Sequence, residues 1–232
     1  MRAGAGASRH PPARGAEPNG PSGIARTVGL EAHRSEIVMH LTLASVSPRR
    51  RQLLEAAGVP LDVRPSGIDD GRLSPGRCTP AEWVMALAYL KAVATARQAD
   101  LDPGTLVIGA DTVCVNDGRI LGQPADEADA GRMVRIMAGR THEVLTGVAM
   151  VCPASRRRLV FVDRSVVTVG ALDEERIAEY LATPLWRGKA GGYNIAERLD
   201  AGWPIEFIGT MDSIMGLPVD RTLAAVRSWA SA

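Results

Sequence analysis

Short apolar runs alternate with longer amphipathic stretches along most of this chain. The runs at 41–44 and 105–110 are bounded by turn signals and predict short buried strands. Residues 142–152 and 158–169 are rich in valine and separated by a polar turn, which predicts a long β-hairpin. Two further strands are predicted at 61–64 and 205–208. Strands that alternate with helices, together with one antiparallel hairpin, indicate a mixed sheet covered by helices.

Helices are predicted between these strands. Ser47 is a candidate N-cap and Pro48 occupies the first helical position of the first helix. A capping box of the form Thr79-Pro80-Ala81-Glu82 opens the second helix. Its predicted buried face consists of Trp83, Leu87, Leu90 and Ala94. Three more helices are predicted at 126–138, 173–182 and 218–229.

Composition limits the class of protein. The chain has 232 residues, of which 46% are hydrophobic and 23% charged, as expected for a globular protein. Residues 1–36 are rich in Gly, Ala, Pro and Arg without apolar periodicity, so we predict a disordered extension ahead of a folded domain at 39–232. The net charge of +1 does not indicate a nucleic-acid or acidic-membrane partner, and no apolar run reaches transmembrane length. Cys78, Cys114 and Cys152 are far apart, which suits a reducing cytoplasm.

Three consecutive arginines follow the first predicted strand. Arg49, Arg50 and Arg51 occupy the first turn of the helix, where the backbone already carries a partial positive charge. A helix N-terminus after a strand is a natural anion site, and Ser45 and Ser47 add hydroxyl groups to it. Arginine side chains bind phosphate oxygens through charge-assisted pairs. An anionic ligand would therefore resolve the conflict, although a solvated helix face explains the same local sequence equally well.

Carboxylates follow the buried strands. Asp111 comes directly after the run at 105–110, and ligands of open α/β sheets gather beyond the carboxyl ends of strands. Asp111 there could act as a general base on water or hold a metal, whereas the alternative is a turn aspartate. Asp69 and Asp70 have the same ambiguity, since the flanking glycines favour a plain turn. Taken with the arginines, these carboxylates indicate a polyphosphate ligand and Mg²⁺ or Mn²⁺.

Lysine is rare in this chain. Of 27 basic residues only Lys91 and Lys189 are lysines, which indicates positions that need a compact ammonium group. Lys91 follows Leu90 at the edge of the predicted buried face, although an ordinary solvated lysine is the alternative. Lys189 precedes a glycine loop where the backbone can approach a ligand closely. His142 is interpreted as structural.

Five motifs occur in an order that resembles the Maf proteins, also called septum formation inhibitor Maf, a family of nucleoside triphosphate pyrophosphatases. They are LASVSPRRRQLL, GADT, AGRTHEVLTGV, KAGGYNI and MGLP, and the resemblance covers residues 41–230. It implies an α/β fold in which a mixed sheet flanked by helices forms two lobes around a central cleft, related to the inosine triphosphate pyrophosphatases. It implies hydrolysis between the α- and β-phosphates, a divalent metal and a cytoplasmic setting, and it allows for a homodimer.

The resemblance also assigns roles to individual residues. Asp111 matches the family's general base and, with Asp70, the carboxylates that hold the metal. Taken with the serines of the anion site, it predicts the following substrate-binding residues: Ser45, Ser47, Arg49, Arg50, Lys91, Thr112 and Lys189.

Two positions depart from the family pattern. Gln123 stands where the family motif LGKP has a catalytic lysine, and Ala196 stands where the pyrimidine-specific motif YGIQG has a glutamine. Arg49 and Thr112 match the dTTP/UTP branch, whereas the 7-methyl-GTP branch has an aromatic residue after its Ser-Pro. The resemblance thus predicts hydrolysis of dTTP, UTP or modified pyrimidine nucleotides. The alternatives are a 7-methyl-GTP-type pyrophosphatase and a weakly active nucleotide-binding regulator of cell division.

Overall fold

A computed structural model describes residues 40–230 of the chain. Within them seven strands form one mixed sheet: β1 Leu41–Ala44, β2 Asp62–Val63, β3 Leu106–Asn116, β4 Arg119–Leu121, β5 Arg140–Cys152, β6 Arg157–Val169 and β7 Ile205–Ile208. The strand order is β2-β1-β3-β5-β6-β7, and β4 pairs with β3. β1 runs parallel to β2 and β3, while all other pairs are antiparallel. The predicted extension at 1–36 and both ends of the predicted domain at 39–232 lie outside the described residues.

The α-helices of the described region are α1 Pro48–Ala56, α2 Pro80–Ala96, α3 Glu127–Met137, α4 Glu174–Leu181, α5 Ile195–Asp200, α6 Met211–Ile214 and α7 Val219–Ala230. Short 3₁₀ turns occur at Asp70–Arg72, Pro184–Trp186 and Ala190–Gly192. All five predicted helices are present. Helices α5 and α6 and strand β4 were not predicted, because elements this short carry less than two periods of any apolar pattern.

Helix α2 covers one face of the sheet at close range. A Cβ atom at Gly109 would lie 2.2 Å from the carbonyl oxygen of Ala88, and one at Gly147 would lie 2.5 Å from that of Val84. Because any side chain at these two strand positions would collide with the helix backbone, both glycines are needed for this approach. The close packing brings the side chains of α2 within reach of the centre of β3.

Two apolar clusters cover the opposite face and define two lobes. Residues two apart on a strand share a face, so Ile108 and Met150 lie on the same side of the sheet as Cys114 and Val144. The first cluster packs β1, β3 and β5 against α1 and α7. The second packs the far ends of β3, β5 and β6 against α3, α4 and α5. The predicted mixed α/β fold is therefore confirmed, with a cleft between the two clusters.

The buried face of α2 differs from the predicted one. Leu87 is buried as expected, but Leu90 is 42% exposed. The other buried positions of α2 are Val84, Ala88, Ala92 and Thr95. The prediction was wrong because α2 is apolar on several sides, so spacing alone did not identify the face that meets the sheet. Lys91 therefore borders the buried face of α2, on the side that meets β3.

The strand that carries Asp111 is longer than predicted. It was expected to end at residue 110, yet β3 continues to Asn116 because β5 keeps pairing with it as far as Val115. The apolar run ends at the aspartate, but hydrogen bonding to a neighbouring strand does not require apolar side chains. Asp111 therefore lies in the middle of its strand and not at its end.

Candidate active site

The cleft opens at a gap on one edge of β3. β1 ends at Ala44, which pairs with Gly109, and β4 begins to pair with β3 only at Cys114. The edge of β3 between these points has no neighbouring strand in the described structure. Asp111 and Thr112 point to opposite faces of the sheet, yet both line the cleft because it wraps around this free edge. Asp111 is therefore open to the cleft because its parallel neighbour β1 ends before it, and not because β3 itself ends there.

The cleft is a cavity of about 690 Å³ with two distinct sides. One side, here called the α1–α2 wall, contains Ser45, Ser47, Arg49, Arg50, Asp69, Asp70 and Lys91. The other, the α3–α5 wall, contains Gln123, Arg187, Tyr193, Asn194 and Ile195. Asp111 and Thr112 lie between them. The volume is within the range of small-molecule sites in proteins, so the cavity can hold a nucleotide.

Lys91 joins the two candidate metal-binding carboxylates. Its Nζ lies 2.5 Å from Oδ2 of Asp70 and 2.7 Å from Oδ1 of Asp111. Only 12% of the Lys91 side chain and 9% of the Asp111 side chain are exposed, so the contact between Lys91 and Asp111 is shielded from water. No described residue donates a hydrogen bond to the second oxygen of Asp111. That oxygen is therefore available to a water molecule or a ligand.

Burial and charge act in opposite directions on these carboxylates. Burial raises the pKa of Asp111 above its ordinary value, although Lys91 and Arg50 oppose the shift. Partial burial also acts to raise the pKa of Asp70, but its hydrogen bond and charge interaction with Lys91 prevail and hold that pKa below the ordinary value. Asp70 is therefore the more acidic group, while Asp111 is the better proton acceptor of the two.

The three consecutive arginines have three different environments. Arg49 lines the cavity, and none of the described residues accepts a hydrogen bond from it. Arg51 points away from the cavity and pairs with Glu55 at 2.7 Å, with both side chains about half exposed. Ser47 has the extended backbone of an N-cap, but its side chain makes no capping bond. The Arg49 guanidinium and the Ser47 hydroxyl are thus the groups of this turn that are free to meet a ligand.

Arg50 instead connects parts of the chain that are distant in sequence. It donates to the carbonyl oxygen of Gly216 at 2.8 Å, to Thr112 Oγ1 at 3.1 Å and to Ser45 Oγ at 3.4 Å. Thr146 donates to the carbonyl oxygen of Ser213, so its contact with Thr112 requires Thr112 to be the donor there. Burial lowers the pKa of Arg50, but the group stays charged. The hydrogen bonds to Gly216, Thr112 and Ser45 leave at most part of the Arg50 guanidinium for the predicted phosphate contact.

Lys189 and Ala196 are not brought into the cavity lining. Lys189 is buried between two lining residues and pairs with Glu197 at 2.5 Å. Ala196 is partly exposed in the first turn of α5 and does not line the cavity, unlike its neighbour Ile195. Their predicted contacts with substrate stay predictions.

A divalent cation fits the carboxylate pair. No group of three His, Cys, Asp or Glu side chains between residues 40 and 230 is arranged to hold a metal ion. Mg²⁺, however, is commonly bound through one or two carboxylates together with substrate phosphates, and does not need a cage of protein ligands. Asp70 and Asp111 share one cation, the Lys91 ammonium, so their oxygens already converge on a positive charge. The residues present are compatible with a metal site that substrate completes.

Comparison with known proteins gives the family. The family described as Maf-like protein matches residues 40–229, which is most of the chain. This chain belongs to the Maf-like protein family. Among its curated relatives, proteins named dTTP/UTP pyrophosphatase are 41% identical over 181 residues in Pelotomaculum thermopropionicum and 40% identical over 191 residues in Bacillus cytotoxicus. The first alignment covers 78% of this chain and 92% of the relative, and the second 82% and 95%.

A third relative of this Maf-like chain has the same name. It is the dTTP/UTP pyrophosphatase of Bacillus cereus, 37% identical over 196 residues that cover 84% of this chain and 92% of the relative. The resemblance to the Maf family predicted from five motifs is therefore confirmed. Between residues 40 and 230 of the Maf-like chain, every helix is too short or too polar to span a bilayer.

One charged residue that lines the cleft was not predicted from the sequence. Arg187 lines the α3–α5 wall, although no motif pointed to it. It is one arginine among many in a chain with only two lysines, so its residue type carried no signal. The adjacent Pro184–Trp186 turn, which brings Arg187 to the cavity, was too short to predict.

Proposed function

We propose that this chain is a nucleoside triphosphate pyrophosphatase that hydrolyses dTTP, UTP or modified pyrimidine nucleotides to the monophosphate and pyrophosphate. The observation that carries the proposal is the buried carboxylate of Asp111, which has Lys91 on one oxygen and no described donor on the other. The names of relatives that share 37–41% of aligned residues support the reaction and the pyrimidine substrates.

Asp111 acts as the general base in this proposal. Its free oxygen accepts a proton from water, and the resulting hydroxide attacks at the α–β anhydride. Lys91 favours the ionised carboxylate, whereas burial raises the pKa and so makes the carboxylate a stronger base than a surface aspartate. Burial thus makes Asp111 better able to take up a proton from water, while Lys91 opposes the rise of its pKa.

The phosphate chain is held at the N-terminus of α1. The free backbone N–H groups of the first turn, the Ser47 hydroxyl and the Arg49 guanidinium all supply donors there. Ser45 and Arg50 support this turn from behind, since Ser45 Oγ accepts hydrogen bonds from the Ser47 amide and from Arg50. We therefore assign direct phosphate contact to Arg49 before Arg50.

A bound Mg²⁺ or Mn²⁺ would neutralise charge that develops on the departing pyrophosphate. Asp70 and Asp111, whose carboxylates already converge on the Lys91 ammonium, would hold it. A cytoplasmic location is supported by three free cysteines, Cys78, Cys114 and Cys152, which suit a reducing compartment. The homodimer that the resemblance allows stays a prediction.

Pyrophosphate release tests the proposal directly. The purified chain is assayed with dTTP, UTP, dCTP, GTP and 7-methyl-GTP, each with Mg²⁺ and with Mn²⁺. We expect release from dTTP and UTP that depends on the added metal. Preference for 7-methyl-GTP would favour the purine alternative, and nucleotide binding without release would favour a binding protein.

A further inference from the structure

The cations of the cavity are unevenly distributed between its walls. Arg49, Arg50 and Lys91 lie on the α1–α2 wall, but Asp69, Asp70 and Asp111 line the same part of the cavity. Three positive groups are thus matched there by three negative ones. A triphosphate carries several negative charges, so this part of the cavity does not by itself offer it a net positive surface.

The α3–α5 wall has one ionised side chain that is not matched in this way. Lys189 is paired with Glu197, and the lining residue Gln123 is an uncharged amide. Arg187 lines the cavity, is exposed, and has no carboxylate partner among residues 40–230. It is therefore the group that makes the charge of the cavity lining positive.

The local structure holds Arg187 in place. The Pro184–Trp186 turn buries the Trp186 indole, whose Nε1 donates to the carbonyl oxygen of Leu181 at 3.3 Å. The Arg187 guanidinium carbon lies 5.1 Å from the centre of that ring, a cation–π contact. Stacking on a buried ring restricts an otherwise flexible side chain, so less conformational entropy is lost when the guanidinium binds an anion.

Arg187 is also connected to the segment that carries Gln123. The amide of Gly191 donates to the carbonyl oxygen of Gly122 at 2.9 Å, which links the loop after Arg187 to the loop before α3. The two side chains therefore belong to the same wall. A cation at either position would lie in the lining of the same cavity.

We propose that Arg187 is a substrate-binding residue that contacts the phosphate chain from the α3–α5 wall and supplies the positive charge that Gln123 does not. The proposal rests on the proposed function for its substrate, whereas the polyphosphate contact itself can be measured without turnover. Arginine suits this role because its planar guanidinium can donate two hydrogen bonds to one phosphate group.

Calorimetric binding of inorganic tripolyphosphate with Mg²⁺ tests the contact. We expect Arg187→Gln to weaken binding about tenfold, as loss of a charge-assisted hydrogen bond would. Arg119→Gln is the matched control, because Arg119 is an exposed arginine of β4, close in sequence to Gln123, that does not line the cavity. An affinity in Arg187→Gln equal to that of the parent, or an equal loss in both variants, would overturn the proposal.

A rescue variant separates the charge of Arg187 from a structural role. In Arg187→Gln/Gln123→Lys the cation returns on the same wall, and we expect most of the tripolyphosphate affinity to return with it. A lower melting temperature in Arg187→Gln with no recovery in the double variant would assign Arg187 to packing on Trp186 and reject the proposal.

The same variants distinguish this inference from the proposed function. If the parent releases no pyrophosphate from any nucleotide, but Arg187→Gln still loses tripolyphosphate affinity, the proposed function fails and the phosphate contact stands. If the parent hydrolyses dTTP or UTP and Arg187→Gln has an unchanged KM, the proposed function stands and the inference about Arg187 fails.

Discussion

The two walls of the cleft use the two lysines of the chain in different ways. On the α1–α2 wall, Lys91 bridges two carboxylates that line the cavity. Behind the α3–α5 wall, Lys189 makes a single pair with Glu197 and lies outside the lining. Both ammonium groups are shielded from water, with 12% and 9% of their side chains exposed. Burial and pairing alone therefore do not distinguish the two lysines; the position of each lysine's partner relative to the cavity does.

The walls also differ in what holds them together. Charged side chains dominate the α1–α2 wall, whereas the α3–α5 wall has a buried hydrogen bond of 2.8 Å between His142 Nε2 and the Tyr193 hydroxyl. Changes on the first wall are expected to alter turnover and binding, and changes on the second to alter stability, apart from Arg187.

The largest effect is expected for Asp111→Asn. An amide keeps the size of the side chain but cannot take up a proton from water, and loss of such a group typically lowers kcat by about two to four orders of magnitude. Circular dichroism and the melting temperature should stay close to those of the parent. Turnover within a few-fold of the parent would remove Asp111 from the chemistry.

The second-largest effect is expected in the way the free energy of unfolding depends on pH. Burial lowers the pKa of His142 to about 4, from 6.5 in an unfolded chain. Between these values the unfolded state binds a proton that the folded state does not, so the folded state loses stability as the pH falls from 6.5 towards 4. The loss should approach about 3 kcal/mol.

Chemical denaturation at several pH values measures this loss of unfolding free energy. In His142→Gln, which can retain a hydrogen bond to Tyr193, this part of the pH dependence should be absent. Parallel curves for parent and variant between pH 6.5 and 4 would show that His142 is not the group responsible.

The two lysines provide the third test. Lys91→Met leaves Asp70 and Asp111 without their shared cation, which disfavours the ionised base, and kcat should fall by roughly 10- to 100-fold. For Lys189→Met we expect a kinetic effect about tenfold smaller. The Lys189→Met variant should instead lose about 1 kcal/mol of unfolding free energy, since the Glu197 side chain is 38% exposed and partly screened by water. A reversed order of the two kinetic effects would contradict the assignment of the walls.

The smallest effect is expected for Arg49→Ala. UTP affinity, measured with Mg²⁺ in the Asp111→Asn background to prevent turnover, should fall about tenfold. The unfolding free energy should change by only a few tenths of a kcal/mol, since the arginine lies at the positive end of its helix. Arg51→Ala is the control, because Arg51 pairs with the exposed Glu55 and does not line the cavity. Equal affinity losses in the two variants would mean that only overall charge matters.

Local patterns were sufficient for much of this protein. Apolar spacing, the capping box at Thr79 and the hairpin turn located all five longer helices and the main strands, because each depends on residues close together in the chain. The order of five short motifs identified the family, which the comparisons confirm. The resemblance to the family assigned Asp111, Asp70 and Lys91 to the site, and these three side chains meet in the structure.

Contacts between distant segments decided the rest. Three neighbouring arginines look alike in sequence, yet Arg50 bonds to Gly216 across 166 positions, while Arg51 pairs within its own helix and Arg49 faces the cavity. The gap beside Asp111 exists because β1 ends before β4 begins, which depends on how three strands are registered. Arg187 reaches the cleft only through packing of its turn. Periodicity reports on neighbours in the chain, whereas a side chain's partners are determined by the topology that brings remote segments together.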